Sequence, residues 1–389
     1  MTPTPAQIGQ RIQHVRKDMG FGISDLARMA QIPEDVLRAT EDGACALLPR
    51  DLIALAHALN WDWEAFLDSP DGFSERVLTL FRQNDQLTAK DRLSLSDLAA
   101  RAGALPRLTD KLKPGLAPVE PPRGKFHRGN GRQVAHQVRD LLRLGDQAID
   151  NPFGLLRHHG VQLFRVEFST PSLSGATLVH PDFGAAVVIR KQDDLFRQCF
   201  SAMHEWGHVL MDRELEAIVS FEDTKGDDRE HRANGFAAGM LLPDGPLRLN
   251  WSRWGERWDQ WREFLVTYRA NFGTLFYALS DAGLVNKDKR VNFFSQPNPP
   301  SIERACKEDP DHFSLSLGGL ERLELCARLG VSPELADAAI ECLRESEPPS
   351  WAWVAEQMRL SMEDLRELAL QPPHSLKQPL ATDINPCAF

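Results

Sequence analysis

The chain has 389 residues, too many for one small domain, and 42 % of them are hydrophobic, as in a globular protein with real cores. Its formal net charge of −10 excludes a protein whose main work is to grip phosphate backbones over a wide surface. No run of about 18 apolar residues is present, so we expect no membrane partner and a cytoplasmic location. The six cysteines are scattered without a Cys-x-x-Cys pair, which is typical of reduced thiols in a cytosol.

Periodicity and composition predict an α+β fold, mostly helical, in five segments. Helical spacing of apolar residues predicts a bundle of short helices in residues 1–70, with helix starts at Ser24 and Pro33. Residues 71–125 are predicted to be a helical linker, and we place the main domain boundary at 105–125, where proline, glycine and charge are concentrated. The other predicted segments are an α+β segment at 126–250, a helical segment at 251–295 and a C-terminal helical region at 296–389.

The segment 126–250 is predicted to combine helices with a small sheet. Its expected elements are a helix at 131–145, the β-rich runs VQLFRVEF and AAVVIR, a long helix at about 193–212, an acidic loop at 215–228 and a second long helix at about 228–241. Pro243 is expected to stop the last helix. Helical periodicity returns at 256–284 and 318–370, and the polar stretch between these regions is predicted to be a linker or long loop.

Two histidines four residues apart indicate the chemistry of the central segment. Residues 204–208 read His-Glu-Trp-Gly-His, and on a helix the rings of His204 and His208 project from one face. This spacing suits two ligands of one Zn²⁺, which in catalytic sites takes three protein ligands and lowers the pKa of a bound water towards 7. Glu205 follows the first histidine and can take the proton of that water.

The third ligand must come from another part of the chain. The next helix offers Glu230, with Asn234 one turn further along the same face, so Glu230 is the predicted ligand and Asn234 is expected to orient a ligating histidine. A developing oxyanion needs a further hydrogen-bond donor. The chain owns only two tyrosines, so four histidines are also considered, each against a structural or surface role: Tyr268, Tyr277, His158, His159, His180 and His231.

Four separated motifs follow one another in this segment: Ser174-Gly175-Ala176, the run Phe200 to His208, the run Glu230 to Ala238, and Leu241-Leu242-Pro243. In this order and spacing, the segment from about 126 to 245 resembles the ImmA/IrrE family of bacterial metallopeptidases. The resemblance implies a zincin-like fold, a zinc site of His204, His208 and Glu230, and a catalytic Glu205. It also implies a protein substrate, commonly a DNA-binding repressor encoded nearby.

Two features depart from the pattern of that family. Met203 and Trp206 stand where alanine and leucine are usual, and the residue after the helix, Asp212, is acidic. None of the three is expected to touch the ligands, so only the shape of the pocket should differ. Residues 258–287 are similar to a helical appendix that often follows this domain, whereas the region from about 315 onward resembles no family.

Residues 8–67 resemble the helix-turn-helix of the xenobiotic-response-element regulators. Their charge fits DNA binding less well, because Asp25 stands where glutamine is usual and the recognition helix begins with Glu34 and Asp35. Residues 1–67 carry six basic and nine acidic residues, a balance of −3, and carboxylates are repelled by phosphates. Two alternatives stay open, specific DNA binding or a retained fold that docks a protein partner or mediates homodimerisation.

Three functions are compatible with these patterns. The leading hypothesis is a zinc metalloendopeptidase that cleaves a repressor or antitoxin-like regulator in a bacterial stress, phage or defence response. The alternative is a transcriptional regulator whose peptidase-like domain is a non-catalytic sensor. The third is an interaction adaptor with degenerate domains, which absence of bound zinc would favour.

Overall fold

The computed structural model describes residues 4–59, 63, 66, 67, 77, 80, 81, 84–113, 115–120, 127–222, 227–286, 300–314 and 317–371. The chain divides into two compact units, Met1–Leu93 and Ser94–Phe389. This division is N-terminal to the boundary that the sequence predicts at 105–125. The predicted limits of the five segments stay predictions.

Where the first unit is described, it contains four short helices that enclose an apolar core. They are α1 (Pro5–Asp18), α2 (Ile23–Ala30), α3 (Glu34–Glu41) and α4 (Pro49–Ala58). Pro33 precedes the first residue of α3, as predicted, while α2 begins one residue before Ser24. A buried ion pair joins α1 to α3, with both oxygens of Glu41 2.6–2.7 Å from the guanidinium of Arg16.

The second unit is mostly helical. Its helices are α5 (Ala89–Ala102, which begins in the first unit), α6 (Leu105–Leu108), α7 (His127–Leu141), α8 (Pro152–His158), α9 (Leu195–Met211), α10 (Asp228–Leu241), α11 (Asp244–Trp254), α12 (Trp261–Thr267), α13 (Phe272–Asp281), α14 (Pro300–Ala305), α15 (Pro310–Ser314), α16 (Leu317–Leu329), α17 (Pro333–Leu343), α18 (Trp351–Met358) and α19 (Met362–Leu370). A 3₁₀ turn, Trp258–Gln260, precedes α12. Within the part of the chain that the structure describes, no helix has the length and apolarity of a membrane span.

A four-stranded mixed sheet lies between α8 and α10 in the chain. The strands are β1 (Val161–Val166), β2 (Leu173–His180), β3 (Gly184–Arg190) and β4 (Ala217–Phe221), in the spatial order β1-β3-β2-β4. Strand β3 is parallel to β1 and antiparallel to β2, and β4 is antiparallel to β2. The prediction of a loop throughout 215–228 was therefore wrong, because AIVSF is short but pairs with β2 and so satisfies its backbone groups.

Close helix crossings fix the positions of α9 and α10. A Cβ atom at Gly131 of α7 would lie 1.8 Å from the carbonyl oxygen of Arg232, and one at Gly235 would lie 2.0 Å from that of Arg128. A Cβ atom at Gly207 of α9 would lie 3.0 Å from the ring of Phe236. Glycine is therefore needed at 131 and 235, since any side chain there would force the helix backbones apart, whereas a side chain at 207 would displace the ring of Phe236.

The predicted linker around residues 293–312 contributes to the core where it is described. Helix α14 buries Ile302 and Ala305 against the apolar residues that surround α9, and α15 places Asp311 in the interior. Asp311 receives two hydrogen bonds of 2.8 Å from Arg157 and one of 2.8 Å from Asn151. The polar sequence predicts a linker or long loop, but its Asp311 is paired inside the protein with Arg157.

The segment predicted to be a boundary at 105–125 is also anchored where it is described. Leu105 and Leu108, at the two ends of α6, are buried among apolar residues of the C-terminal helices α16 to α19. Further along, the backbone N–H of Val119 donates to the carbonyl of Leu210 in α9 at 2.9 Å. The described residues of this segment therefore pack against two parts of the second unit.

We expect Asp311→Ala to destabilise the second unit by about 3–5 kcal/mol, because it removes both hydrogen bonds that the buried Arg157 donates to this carboxylate. Chemical denaturation of the full chain measures this change. Glu367→Gln is the matched control, since its ion pair with Arg328 is exposed and should be worth about 1 kcal/mol or less. An equal, small effect of both substitutions would contradict the structural role of Asp311.

Candidate metal centre

Three side chains of types that commonly bind metal ions in proteins converge at one point in the structure. His204 and His208 lie on α9 and Glu230 lies near the start of α10, and all three are buried. The Nε2 atoms of the two histidines are 3.2 Å apart, and each lies 3.2 Å from one oxygen of Glu230. These are the three residues that the sequence predicts as metal ligands.

The Nδ1 atoms of both histidines are held by hydrogen-bond acceptors. Nδ1 of His204 lies 3.1 Å from the side-chain oxygen of Asn234, and Nδ1 of His208 lies 2.8 Å from a carboxylate oxygen of Asp212. In a neutral ring, a proton on Nδ1 leaves the lone pair of Nε2 free, so each ring in its neutral form would present that lone pair to the centre of the triad. The contact of Asn234 is the one expected from its place one turn after Glu230.

The expectation that Asp212 touches no ligand was wrong. Its side chain is fully buried, and it also accepts a hydrogen bond from Arg232. The sequence signal was available, because an acid four residues after a helical histidine lies on the same face. Met203 and Trp206, the other two departures from the family pattern, are buried in the apolar core.

Glu205 lies beside the triad and is fully buried. One carboxylate oxygen, Oε2, accepts a hydrogen bond of 2.7 Å from the hydroxyl of Thr177 on β2. The other oxygen, Oε1, has no hydrogen-bond partner among the described residues. A Cβ atom at Gly175 would lie 2.6 Å from Oε1, so the glycine of the Ser-Gly-Ala motif makes room for this carboxylate.

Burial and the surrounding charges shift the pKa values of these groups. Burial raises the pKa of Glu205, although the neighbouring His204 and His208 oppose the shift. Burial lowers the pKa of His208, but hydrogen bonds with Asp212 and Glu230 outweigh this effect and raise it to about 10. Without metal, His208 therefore holds a proton that a metal ion must displace, so metal affinity should rise with pH.

The donor atoms fit a tetrahedral zinc ion. Ligand atoms 2.0–2.1 Å from such an ion are about 3.3 Å apart, close to the separation of 3.2 Å in each pair here. Two nitrogens and a carboxylate also form the His₂Glu ligand set of catalytic zinc, with the fourth position left for a water molecule. No other group of three or more histidine, cysteine or acidic side chains in the described residues meets the same distance requirement.

One of the six residues considered for the oxyanion, His159, lies against α9, and His158 lies beside His159. The ring of His159 stacks on that of Trp206, with 5.9 Å between the centroids. Burial and the neighbouring His158 lower the pKa of His159 to about 4, so this ring is neutral at pH 7. Because Trp206 is two residues from His204, it projects from a different face of the helix.

The other four candidates are also involved in local contacts. His231 is half-buried beside Glu230. The other three make these contacts: His180 accepts from the backbone N–H of Asp182, Tyr268 donates to the carbonyl of Asp146, and Tyr277 lies under the guanidinium of Arg128. The structure therefore singles out none of the six as the oxyanion donor.

Fold and site together define an α+β domain with the ligand set of a metallopeptidase. Residues 156–271 match the model of peptidase family M78, the IrrE N-terminal-like domain. The match includes α9 and α10 with all three candidate ligands, covers less than half of the chain, and supports the resemblance to ImmA/IrrE metallopeptidases. Searches of curated proteins and of solved structures give no match.

Proposed function

We propose that this chain is a zinc-dependent metalloendopeptidase. The observation that carries the proposal is the triangle of donor atoms from His204, His208 and Glu230, with separations of 3.2 Å, beside a buried Glu205 whose Oε1 has no partner among the described residues. Zinc bound there would supply a Lewis acid that polarises a peptide carbonyl and acidifies water.

The residues of the chain have distinct roles in this proposal. Glu205 takes the proton of the attacking water and later passes it to the leaving amine. Thr177 holds Oε2 of Glu205 and thereby leaves Oε1 for the reaction. The raised pKa of Glu205 suits this exchange, because a more basic carboxylate takes a proton more readily.

The substrate that we propose is a regulatory protein, a DNA-binding repressor or an antitoxin-like protein. Support comes from the resemblance to ImmA/IrrE peptidases and from the match at residues 156–271. The setting is a bacterial stress, phage or defence response in the cytoplasm. Co-expression with the proteins of neighbouring genes, scored for cleavage by the wild type and by Glu205→Gln, tests this choice of substrate.

The arrangement of the helices in the first unit, though not their charge, favours a second candidate, a transcriptional regulator with a non-catalytic peptidase-like domain. In its described residues, helices α1 to α4 suit the proposed helix-turn-helix, with α2 and α3 separated by three residues. The arginines of these helices are paired with acids on their own helix, Arg28 with Asp25 at 2.6 Å and Arg38 with Glu34 at 2.8 Å. Charges paired in this way attract phosphates less, which favours a protein partner or a second copy of the chain for this unit.

We expect the full chain to bind duplex DNA from its own promoter region more weakly than about 1 μM at physiological salt. The reason is the balance of −3 in residues 1–67 together with the exposed acids Asp25 and Glu34. Fluorescence anisotropy with this duplex and a shuffled duplex measures the binding. Tight, sequence-specific binding that Glu205→Gln leaves unchanged would favour the transcriptional regulator.

A further inference from the structure

We propose that Asp212 positions the metal ligand His208 and strengthens it as a donor, and that Arg232 limits this effect by balancing the charge of Asp212. The inference rests on the proposed zinc site, because these two residues would act on a ligand and not on the metal. Asp212 comes directly after α9 and is four residues from His208. Both side chains are fully buried.

The carboxylate of Asp212 connects the two helices that carry the ligands. Its Oδ2 lies 2.8 Å from Nδ1 of His208 on α9. Its Oδ1 accepts a hydrogen bond from Arg232 on α10, two residues after the ligand Glu230. The contact therefore fixes the ring of His208 and ties it to the helix of the third ligand.

The two histidines of the site are held in different ways. Nδ1 of His204 meets the neutral amide of Asn234, whereas Nδ1 of His208 meets a buried carboxylate. A carboxylate acceptor makes an imidazole a stronger donor to a metal than an amide does. Because the charge of Asp212 is not screened by solvent, Arg232 balances it and limits how strongly it acts on His208.

The competing interpretation is that Asp212 and Arg232 only brace α9 against α10. Both interpretations predict that loss of either residue lowers the stability of the metal-free protein. The two interpretations predict different zinc affinities. If Asp212 and Arg232 only brace the helices, substitution of either residue should change the zinc affinity in the same direction. If Asp212 positions His208, only loss of the carboxylate weakens zinc binding, since without Arg232 the carboxylate still holds the ring and the metal ion balances its charge.

The test compares the full chain with Asp212→Asn, Arg232→Met and the double variant. Arg229→Met is the matched control, since Arg229 lies on the same helix, is exposed and pairs with Asp227. Competition with a chelator gives the zinc dissociation constants, and thermal unfolding without metal gives the stability. We expect Asp212→Asn to weaken zinc binding about 10- to 100-fold, and Arg232→Met to leave it equal or tighter despite a lower Tm.

Further readouts separate the possible results. The absorption spectrum of bound Co²⁺ should change in Asp212→Asn and not in Arg229→Met. Only the first substitution changes the hydrogen bond to a ligand, His208. Asp212→Asn leaves the guanidinium of Arg232 without its carboxylate partner, and the double variant removes that guanidinium as well. The double variant should therefore fold even if Asp212→Asn does not, and it should bind zinc as weakly as Asp212→Asn. Equal losses of affinity in Asp212→Asn and Arg232→Met, or none in Asp212→Asn and the double variant, would overturn the inference. A wild-type chain that binds no zinc would instead remove the proposed function on which it rests.

Discussion

Glu205→Gln should abolish cleavage while zinc stays bound. Glutamine keeps the shape of the side chain and can still accept the hydrogen bond from Thr177, but it cannot take a proton from water. Removing a general base of this kind lowers the rate by about 10²- to 10⁴-fold. The measurement is the rate of substrate cleavage at equal zinc occupancy, determined for the wild type and the variant.

A matched control for this experiment lies at the end of β4. Glu222 is about half exposed and pairs loosely with Arg197, so Glu222→Gln should cleave at the wild-type rate. Undiminished cleavage by Glu205→Gln would show that another group, or a contaminating peptidase, does the chemistry. If Glu205→Gln loses both its zinc and its cleavage activity, Glu205 supports the metal and not the proton transfer.

Glu230→Ala should lower the affinity for zinc by at least about 100-fold. Each of its oxygens lies 3.2 Å from a different histidine nitrogen, so the substitution removes a whole ligand. Loss of a residue that only hydrogen-bonds to a ligand lowers metal affinity by about 10- to 100-fold, and loss of the ligand itself should cost more. Chelator competition on the purified chain measures the affinity, and thermal unfolding confirms that the variant folds.

Asp228→Ala is the control for the choice of carboxylate. Asp228 lies on the same helix, but its side chain is largely exposed and pairs with His127 at 3.1 Å. Zinc affinity should be nearly unchanged in this variant. If Glu230→Ala and Asp228→Ala retain zinc equally well, the third ligand is another residue.

The long helices of the metallopeptidase-like domain could be predicted because their signals are local. Helix α10 spans Asp228–Leu241, and Pro243 follows its end as the sequence predicts. The spacing of His204 and His208 on a helix needs no tertiary information, and neither does the turn that separates Glu230 from Asn234. The structure shows that these four side chains converge, and their roles in binding metal stay predictions.

The sheet could be predicted only in part. Strands β1 and β3 are rich in β-branched and aromatic residues and were expected. Strand β2 contains the Ser-Gly-Ala motif, and β4 has five residues next to an acidic loop. Their conformation depends on pairing with each other, which a local pattern does not contain.

Contacts between distant residues explain the remaining errors. Arg157 and Asp311 are 154 residues apart, so nothing local indicates that the polar stretch after residue 292 supplies a buried ion pair. The contact of Asp212 with His208 is different, because their spacing of four residues makes it visible in the sequence. The resemblance does not predict this contact, because the family pattern has no acid at this position and implies only a different pocket shape.

The metal content of the purified full-length chain tests the central claim most directly. After zinc has been offered and the excess removed, elemental analysis should find about one zinc ion per chain, because two imidazoles and a carboxylate form the ligand set of a catalytic site. A chain that holds no stoichiometric transition metal under these conditions would contradict the account.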